Sequence, residues 1–168
     1  MFERVNVGCG DNPLPGYINL DIDAGEGRRQ CDVREGLPFV AGSMAEVRAD
    51  QFLEHLTLAE LAAFLDDCKR VLCVGGEVRF SFPDIDGIAK AAARGDLDGV
   101  PIDEESSQAD VPKGFAVLNF MHSGWGHKAI LTTTFVERMI AERLQVTWRA
   151  IVVTNGLVIA VKERGSGI

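Results

Sequence analysis

The sequence predicts an α/β fold with a mostly parallel sheet that ends in an antiparallel hairpin. Three observations carry this reading. Short β-like runs ending at glycine or an acid open the chain. Segments with helical apolar spacing then alternate with further strand-like runs. Finally, Asn155-Gly156 stands between two apolar runs, the strongest short-range hairpin signal. Strand–helix alternation implies a parallel sheet with helices on its faces, and the hairpin adds one antiparallel strand.

The elements follow in order. Arg4 to Gly8 (RVNVG) reads as a strand that stops at glycine, and Tyr17 to Asp21 (YINLD) as a second that ends on an acid. The connection Cys9 to Gly16 holds two prolines and has no room for a full helix. A third short strand is expected near Arg29–Val33, and Glu46 to Gln51 is a weaker strand candidate. Thr57 and Glu60 have capping-box spacing. Leu58, Leu61, Ala62, Leu65, Cys68 and Leu72 then form a helical stripe. Asp66 and Arg70 sit one turn apart in the favourable order, and Gly75-Gly76 is expected to end this segment. Glu77 to Phe82 alternates as a strand closed by Pro83, and Asp84 to Arg94 reads as a helix. Gly95 to Gly114 is acidic and polar, and begins a lid or loop insert at about 95–128. Thr134 and Glu137 form a second capping box, before a helix that buries Phe135, Met139, Ile140 and Leu144. Gln145 to Val153 and Leu157 to Lys162 are the hairpin strands.

With 168 residues the chain suits one domain, 1–168, with a real core and no large second domain. Its net charge of −8 disfavours gripping phosphate backbones, so nucleic acid ranks low as a partner. Cys9, Cys31, Cys68 and Cys73 form no C-x-x-C pair and no zinc-spaced cluster, so no metal site is expected. No segment reads as a signal peptide or a membrane span, which makes the cytoplasm the expected compartment. An oligomer has no support in the sequence.

Ligands of open α/β sheets bind outside the carboxyl ends of the strands. Val5-Asn6-Val7-Gly8-Cys9-Gly10 places glycines at such an end, where they let the backbone bend sharply or approach a ligand. Gly-x-Gly alone is equally compatible with an empty tight turn. Asp21 closes the next strand beside that loop, and a carboxylate there accepts from the vicinal hydroxyls of a ribose. Asp32 and Val33 follow the third strand, where the acid can accept from an adenine amino group and the Val33 N–H can donate to the ring. A nicotinamide-dinucleotide site wants a third glycine opening a helix and an acid about 20 residues on. Here Pro13 takes the glycine position and Asp21 comes early. No G-K-[ST] occurs, which excludes a P-loop.

These residues resemble a known family, the class I S-adenosylmethionine-dependent methyltransferases, in their short bacterial branch (methyltransferase-domain 11-like). The matching segments are Val5 to Gly10, Gly16-Tyr17-Ile18-Asn19-Leu20-Asp21, Asp32 through Leu37-Pro38-Phe39, Leu53-Glu54-His55-Leu56, Arg70-Val71-Leu72 with Gly75-Gly76, and Pro83-Asp84. The resemblance covers residues 4–90 well and the rest loosely. It implies a Rossmann-like three-layer sandwich with a mostly parallel seven-stranded sheet. It implies that Gly8, Cys9 and Gly10 line the methionine and ribose part of the cofactor, with Asp21 on the ribose and Asp32 and Val33 at the adenine. Gln51 would lie beside the cofactor, and Ile22, Phe52 and His55 belong to the same expected site. The sequence departs from the pattern at Cys73-Val74, where Lys-Pro is common.

Methyl transfer from a sulfonium needs alignment above all, since the cofactor carries both the activated methyl and its leaving group. Base candidates are His127 and His122, in the loop Met121 to His127, and Asp84 after the fifth strand, whose alternative role is a helix cap. The expected function is methyl transfer from S-adenosylmethionine to a small-molecule or sugar-type acceptor, with S-adenosylhomocysteine as product. The segment after the fourth strand, Asp50-Gln51-Phe52-Leu53, lacks the [DN]-P-P-[YF] pattern of amino-directed nucleic-acid methyltransferases. A non-catalytic cofactor-binding or scaffold protein on the same fold is the alternative, and a nicotinamide-dependent oxidoreductase a weaker one.

Overall fold

The structure, a computed structural model, describes residues 2–95, 117, 122, 126–144, 147–152 and 157–161. Its strands are β1 (Glu3–Val7), β2 (Ile18–Asp21), β3 (Arg29–Gln30), β4 (Met44–Asp50), β5 (Leu72–Ser81), β6 (Thr147–Val152) and β7 (Leu157–Val161). Its helices are α1 (Leu58–Val71), α2 (Ile85–Ala93) and α3 (Thr133–Leu144). The strands lie in the order β3-β2-β1-β4-β5-β7-β6. The first five pair in parallel, β7 runs antiparallel to β5, and β6 antiparallel to β7. The expected turn between the last two strands lies outside the described residues, as do 96–116 and most of the expected lid.

The chain leaves β1 toward β2 and β3, then returns to the other side of β1 with β4. This reversal is a topological switch point, and the crevice between diverging connections opens there. Parallel register brings Val7 level with Leu20 on one side and with Ala49 on the other. The residues that follow, Gly8, Asp21 and Asp50-Gln51, therefore share one sheet edge.

Alternation along the strands decides which face is covered. Val5, Val7, Val47, Ala49, Val78 and Phe80 are buried in one core with Leu61, Phe64 and Leu65 of α1 and Val136, Ile140 and Leu144 of α3. The opposite face is polar and knitted within the sheet plane. Asn6 donates to Asn19 (3.1 Å), the Tyr17 hydroxyl to Glu46 (2.8 Å), Arg48 to Asp50 (2.6 Å) and the Ser81 hydroxyl to Asp50 (2.9 Å). Parallel sheets are usually buried on both faces. Here the connections 8–17 and 22–28 contain no helix, so no layer arises from them. The apolar residues of α2 pack around Val117 in a separate cluster. Among the described residues α1 and α3 thus cover one face of the sheet, the first two of the three expected layers.

Local signals held at α1. Thr57 accepts from the Glu60 N–H and the Glu60 carboxylate accepts from the Thr57 N–H, the reciprocal capping box. Four details differ. Leu58 is half exposed and Phe64 fills the stripe instead. The helix ends at Val71, and Gly75-Gly76 lie inside β5, where the register jumps from Met44–Leu72 to Glu46–Glu77. A Cβ on Gly76 would stand 3.0 Å from the Met44 carbonyl, so the bulge needs glycine to approach β4. In place of the expected Asp66–Arg70 pair, Asp66 pairs with Arg143 of α3, while Arg70 pairs with Asp67 within α1 and donates to the Leu37 and Phe39 carbonyls. At α3 the capping oxygen belongs to Thr132, which accepts from Phe135 N–H (3.1 Å), and Thr134 is inside the helix. Among the described residues no helix is long and apolar enough to cross a membrane.

Removing the capping oxygen in Thr57→Ala is expected to lower unfolding free energy by about 1 kcal/mol with an unchanged urea m-value. Equilibrium urea denaturation followed by circular dichroism measures both.

Candidate functional site

The glycine loop is shaped by positive backbone angles and held from three sides. Gly8 and Gly10 have φ of 64° and 52°. At Gly8 a Cβ would fall 2.3 Å from the Phe52 ring, so the close approach of loop and ring requires glycine. Asn19 binds the Leu14 backbone twice, accepting from its N–H (2.8 Å) and donating to its carbonyl (3.1 Å). The Arg28 guanidinium donates to the Gly10 carbonyl and to Asp11 (2.9 Å). Gly10 N–H in turn donates to Asp21 Oδ2 at 2.7 Å, so the end of β2 and the loop after β1 are one unit.

Beside this loop, at the switch point, lies a cavity of about 450 Å³, inside the range of small-molecule and cofactor sites. Gly8, Gly10, Asp21, Ile22 and Val33 line it, and Asp32, Gln51, Phe52 and His55 complete the wall. Nine of the ten expected cofactor residues therefore converge on one concavity. Cys9 alone of that set is turned inward, buried, with its thiol on the Gly10 carbonyl side. Burial, then the charge of Asp21, raises the Cys9 pKa, which keeps it a thiol. Gln51 is the one non-glycine residue of the described set with positive φ, 50°, a strained backbone at the mouth of the cavity. Its N–H is fixed by the Ser81 carbonyl (2.8 Å). Phe52 forms the floor and stacks edge-on Phe64 at 5.6 Å, which ties the cavity to the core.

Asp32 stands on the wall with its carboxylate engaged. It caps the turn Val33–Glu35 through Arg34 N–H (3.0 Å) and takes the Arg34 guanidinium on both oxygens (2.8 to 3.0 Å from Nε, 2.5 Å from Nη2). Those bonds to Arg34 hold its pKa down to about 2. Sequence reasoning missed Arg34, together with Cys31, Leu56 and Lys128 on the same wall. Arg34 carries the one readable signal, an i, i+2 position from the acid at a turn. Lys128 arrives from a distant loop, docked when its N–H and that of Ala129 donate to the Glu54 carbonyl (2.8 and 3.1 Å).

The three base candidates separate. Asp84 is buried and accepts from the Thr133 N–H (3.1 Å), capping α3 across the bridge between Asp84 and Leu131. It is not on the cavity wall. His122 is exposed and also off the wall. His127 reaches the site through His55, its ring edge-on to that of His55 at 5.1 Å. Burial, then the charge of His127, lowers the His55 pKa, while a hydrogen bond to the Gly126 backbone opposes the shift. Beside this pair Glu54 is only 3% exposed, and its Oε2 has no hydrogen-bond partner. Burial pushes its pKa up to about 7.

No protein-family model and no curated protein sequence matches the chain. Solved structures do match by fold. An S-adenosylmethionine-dependent methyltransferase from Archaeoglobus fulgidus aligns over 96% of this chain and 86% of its own, with 16% identity and a TM-score of 0.61. One from Mesorhizobium loti aligns over 95% and 90%, with 15% identity and a TM-score of 0.57. PigF, solved with S-adenosylhomocysteine, aligns over 96% of this chain but 50% of its own, with 16% identity and a TM-score of 0.55. At these identities the likeness is one of fold.

Two outcomes follow from this geometry. Gly8→Ala is expected to cost about 1–3 kcal/mol, since the new Cβ must displace the Phe52 ring; chemical denaturation reads it. A folded pKa near 7 against an ordinary 4.5 means that Glu54 favours the folded state below pH 4.5 and loses that contribution as pH rises through 7. In chelator-treated protein, Glu54→Gln is therefore expected to remove a stability loss on the order of 3 kcal/mol between pH 4.5 and 8. Parallel pH profiles of denaturation for wild type and variant measure it.

Proposed function

We propose that this chain, which has the fold of the S-adenosylmethionine-dependent methyltransferases, binds that cofactor in the switch-point cavity and transfers its methyl group to a small-molecule or sugar-type acceptor. The observation that carries the reading is Asp21, a carboxylate held by the Gly10 N–H at the cavity wall with acceptor capacity left for two ribose hydroxyls. The positive-φ loop Gly8–Gly10 offers room for the methionine end. Val33 and Asp32 flank the adenine, and Asp32 meets its amino group by exchanging one Arg34 contact for it.

The chemistry asks for little beyond alignment. Near-attack positioning of acceptor and sulfonium is worth about 7–11 kcal/mol of barrier, and a base adds roughly 10²–10⁴-fold for a hydroxyl or ammonium acceptor. Within that scheme Asp84 is a structural cap, and His55 is the imidazole on the cavity wall, with the His127 ring edge-on to it. The acidic balance supports a small acceptor over a nucleic acid, and four free thiols support a reducing, cytoplasmic setting.

Isothermal titration with S-adenosylhomocysteine tests the reading. Wild type is expected to bind it, with NAD giving no heat. Asp21→Ala is expected to weaken binding by at least about 100-fold while circular dichroism stays unchanged, in line with losing charge-assisted bonds to both hydroxyls. Equal affinity in a folded Asp21→Ala variant removes Asp21 from the site, and preference for NAD replaces the methyltransferase reading with an oxidoreductase one.

A further inference from the structure

We propose that Glu54, His55 and His127 hold a divalent transition-metal ion of the zinc class at the edge of the cavity. Three observations point there. One ligand atom from each residue lies within 4.8 Å of the others. The Oε2 of Glu54 is buried with no partner, a state that costs free energy unless something binds it. His55 is itself on the cavity wall, whereas Glu54 and His127 stand behind it.

The donor set matters. Two imidazoles and one carboxylate are the ligands of open zinc sites, which keep a fourth position for water or substrate. Ligand atoms about 2.0–2.1 Å from one zinc stand roughly 3.3 Å apart in a tetrahedron, so from separations within 4.8 Å the trio closes by at most about 1.5 Å on loading. The sequence hides this set because Glu54-His55 and His127 are 72 positions apart (127 − 55) and match no metal-ligand spacing. They meet because the Lys128 and Ala129 N–H groups dock on the Glu54 carbonyl.

This placement assigns the ion a role that rests on the methyltransferase reading. An acceptor hydroxyl at the fourth position releases its proton to solvent, because zinc brings bound oxygen acids toward pKa 7. Its oxygen then attacks the methyl carbon of the sulfonium. The carbon–sulfur bond breaks with its electron pair left on sulfur, which yields the neutral thioether S-adenosylhomocysteine and a methyl ether.

The test uses the full chain, stripped with a chelator and titrated with Zn²⁺, and with Co²⁺ as a spectroscopic substitute. One ion per chain is expected, with the visible absorption of four-coordinate Co²⁺. Glu54→Gln and His127→Ala are each expected to weaken Zn²⁺ binding by at least about 100-fold, beyond the 10–100-fold typical of outer-shell partners. Calorimetry with S-adenosylhomocysteine, run on the same variants with and without metal, separates the two readings. No Zn²⁺ binding, or binding unchanged in both folded variants, overturns the metal site even where S-adenosylhomocysteine binds normally. Metal binding without S-adenosylhomocysteine binding instead leaves the metal site standing and removes the transfer role.

Discussion

The parallel pairing of β1 with both β2 and β4 is the constraint on which the site depends. It aligns the carboxyl ends of three strands, so that Gly8, Asp21 and Gln51 arrive together without any contact among their side chains dictating it. The register is held by burial, since Val5, Val7, Leu20, Val47 and Ala49 share one covered face. A slip of one residue would turn each of these to the polar side. Core packing below the sheet therefore sets the geometry of the cavity at its edge, and Phe52 over Phe64 is the physical link between the two.

The short connections shape the molecule in a second way. Without a helix between β1 and β2, the glycine loop needs other support. Asn19 and Arg28 provide it through backbone contacts to Leu14 and Gly10. The same lack of a helix leaves the second sheet face to Asn6, Glu46, Arg48, Asp50 and their partners, which satisfy one another in the sheet plane. That polar face is written in the strand alternation, although parallel strands more often read as unbroken apolar runs.

Much of the parallel sheet was legible because period-two and helix-capping signals are local. The Thr57–Glu60 box, the glycine loop and Asp21 needed only neighbours in sequence. What was misread depended on tertiary context. Gly75-Gly76 looks like a helix stop and is a strand bulge against Met44, while Thr134 looks like a cap and Thr132 is one. Asp84 looks like an acid at the ligand edge, yet its carboxylate is spent on Thr133 of α3. Asp32 sits where expected, but Arg34 has claimed its oxygens. The Glu54–His55–His127 cluster was beyond reach, since it forms only when a loop 72 positions downstream of His55 docks on Glu54.

The central claim is that the switch-point cavity is built for an adenosyl ligand. A crystal structure of the chain grown with S-adenosylhomocysteine tests it most directly. The account predicts both ribose hydroxyls on the Asp21 carboxylate, the adenine between Ile22 and Val33, and the amino-acid end over Gly8–Gly10. A ligand bound elsewhere, or a ribose that leaves Asp21 untouched, contradicts it.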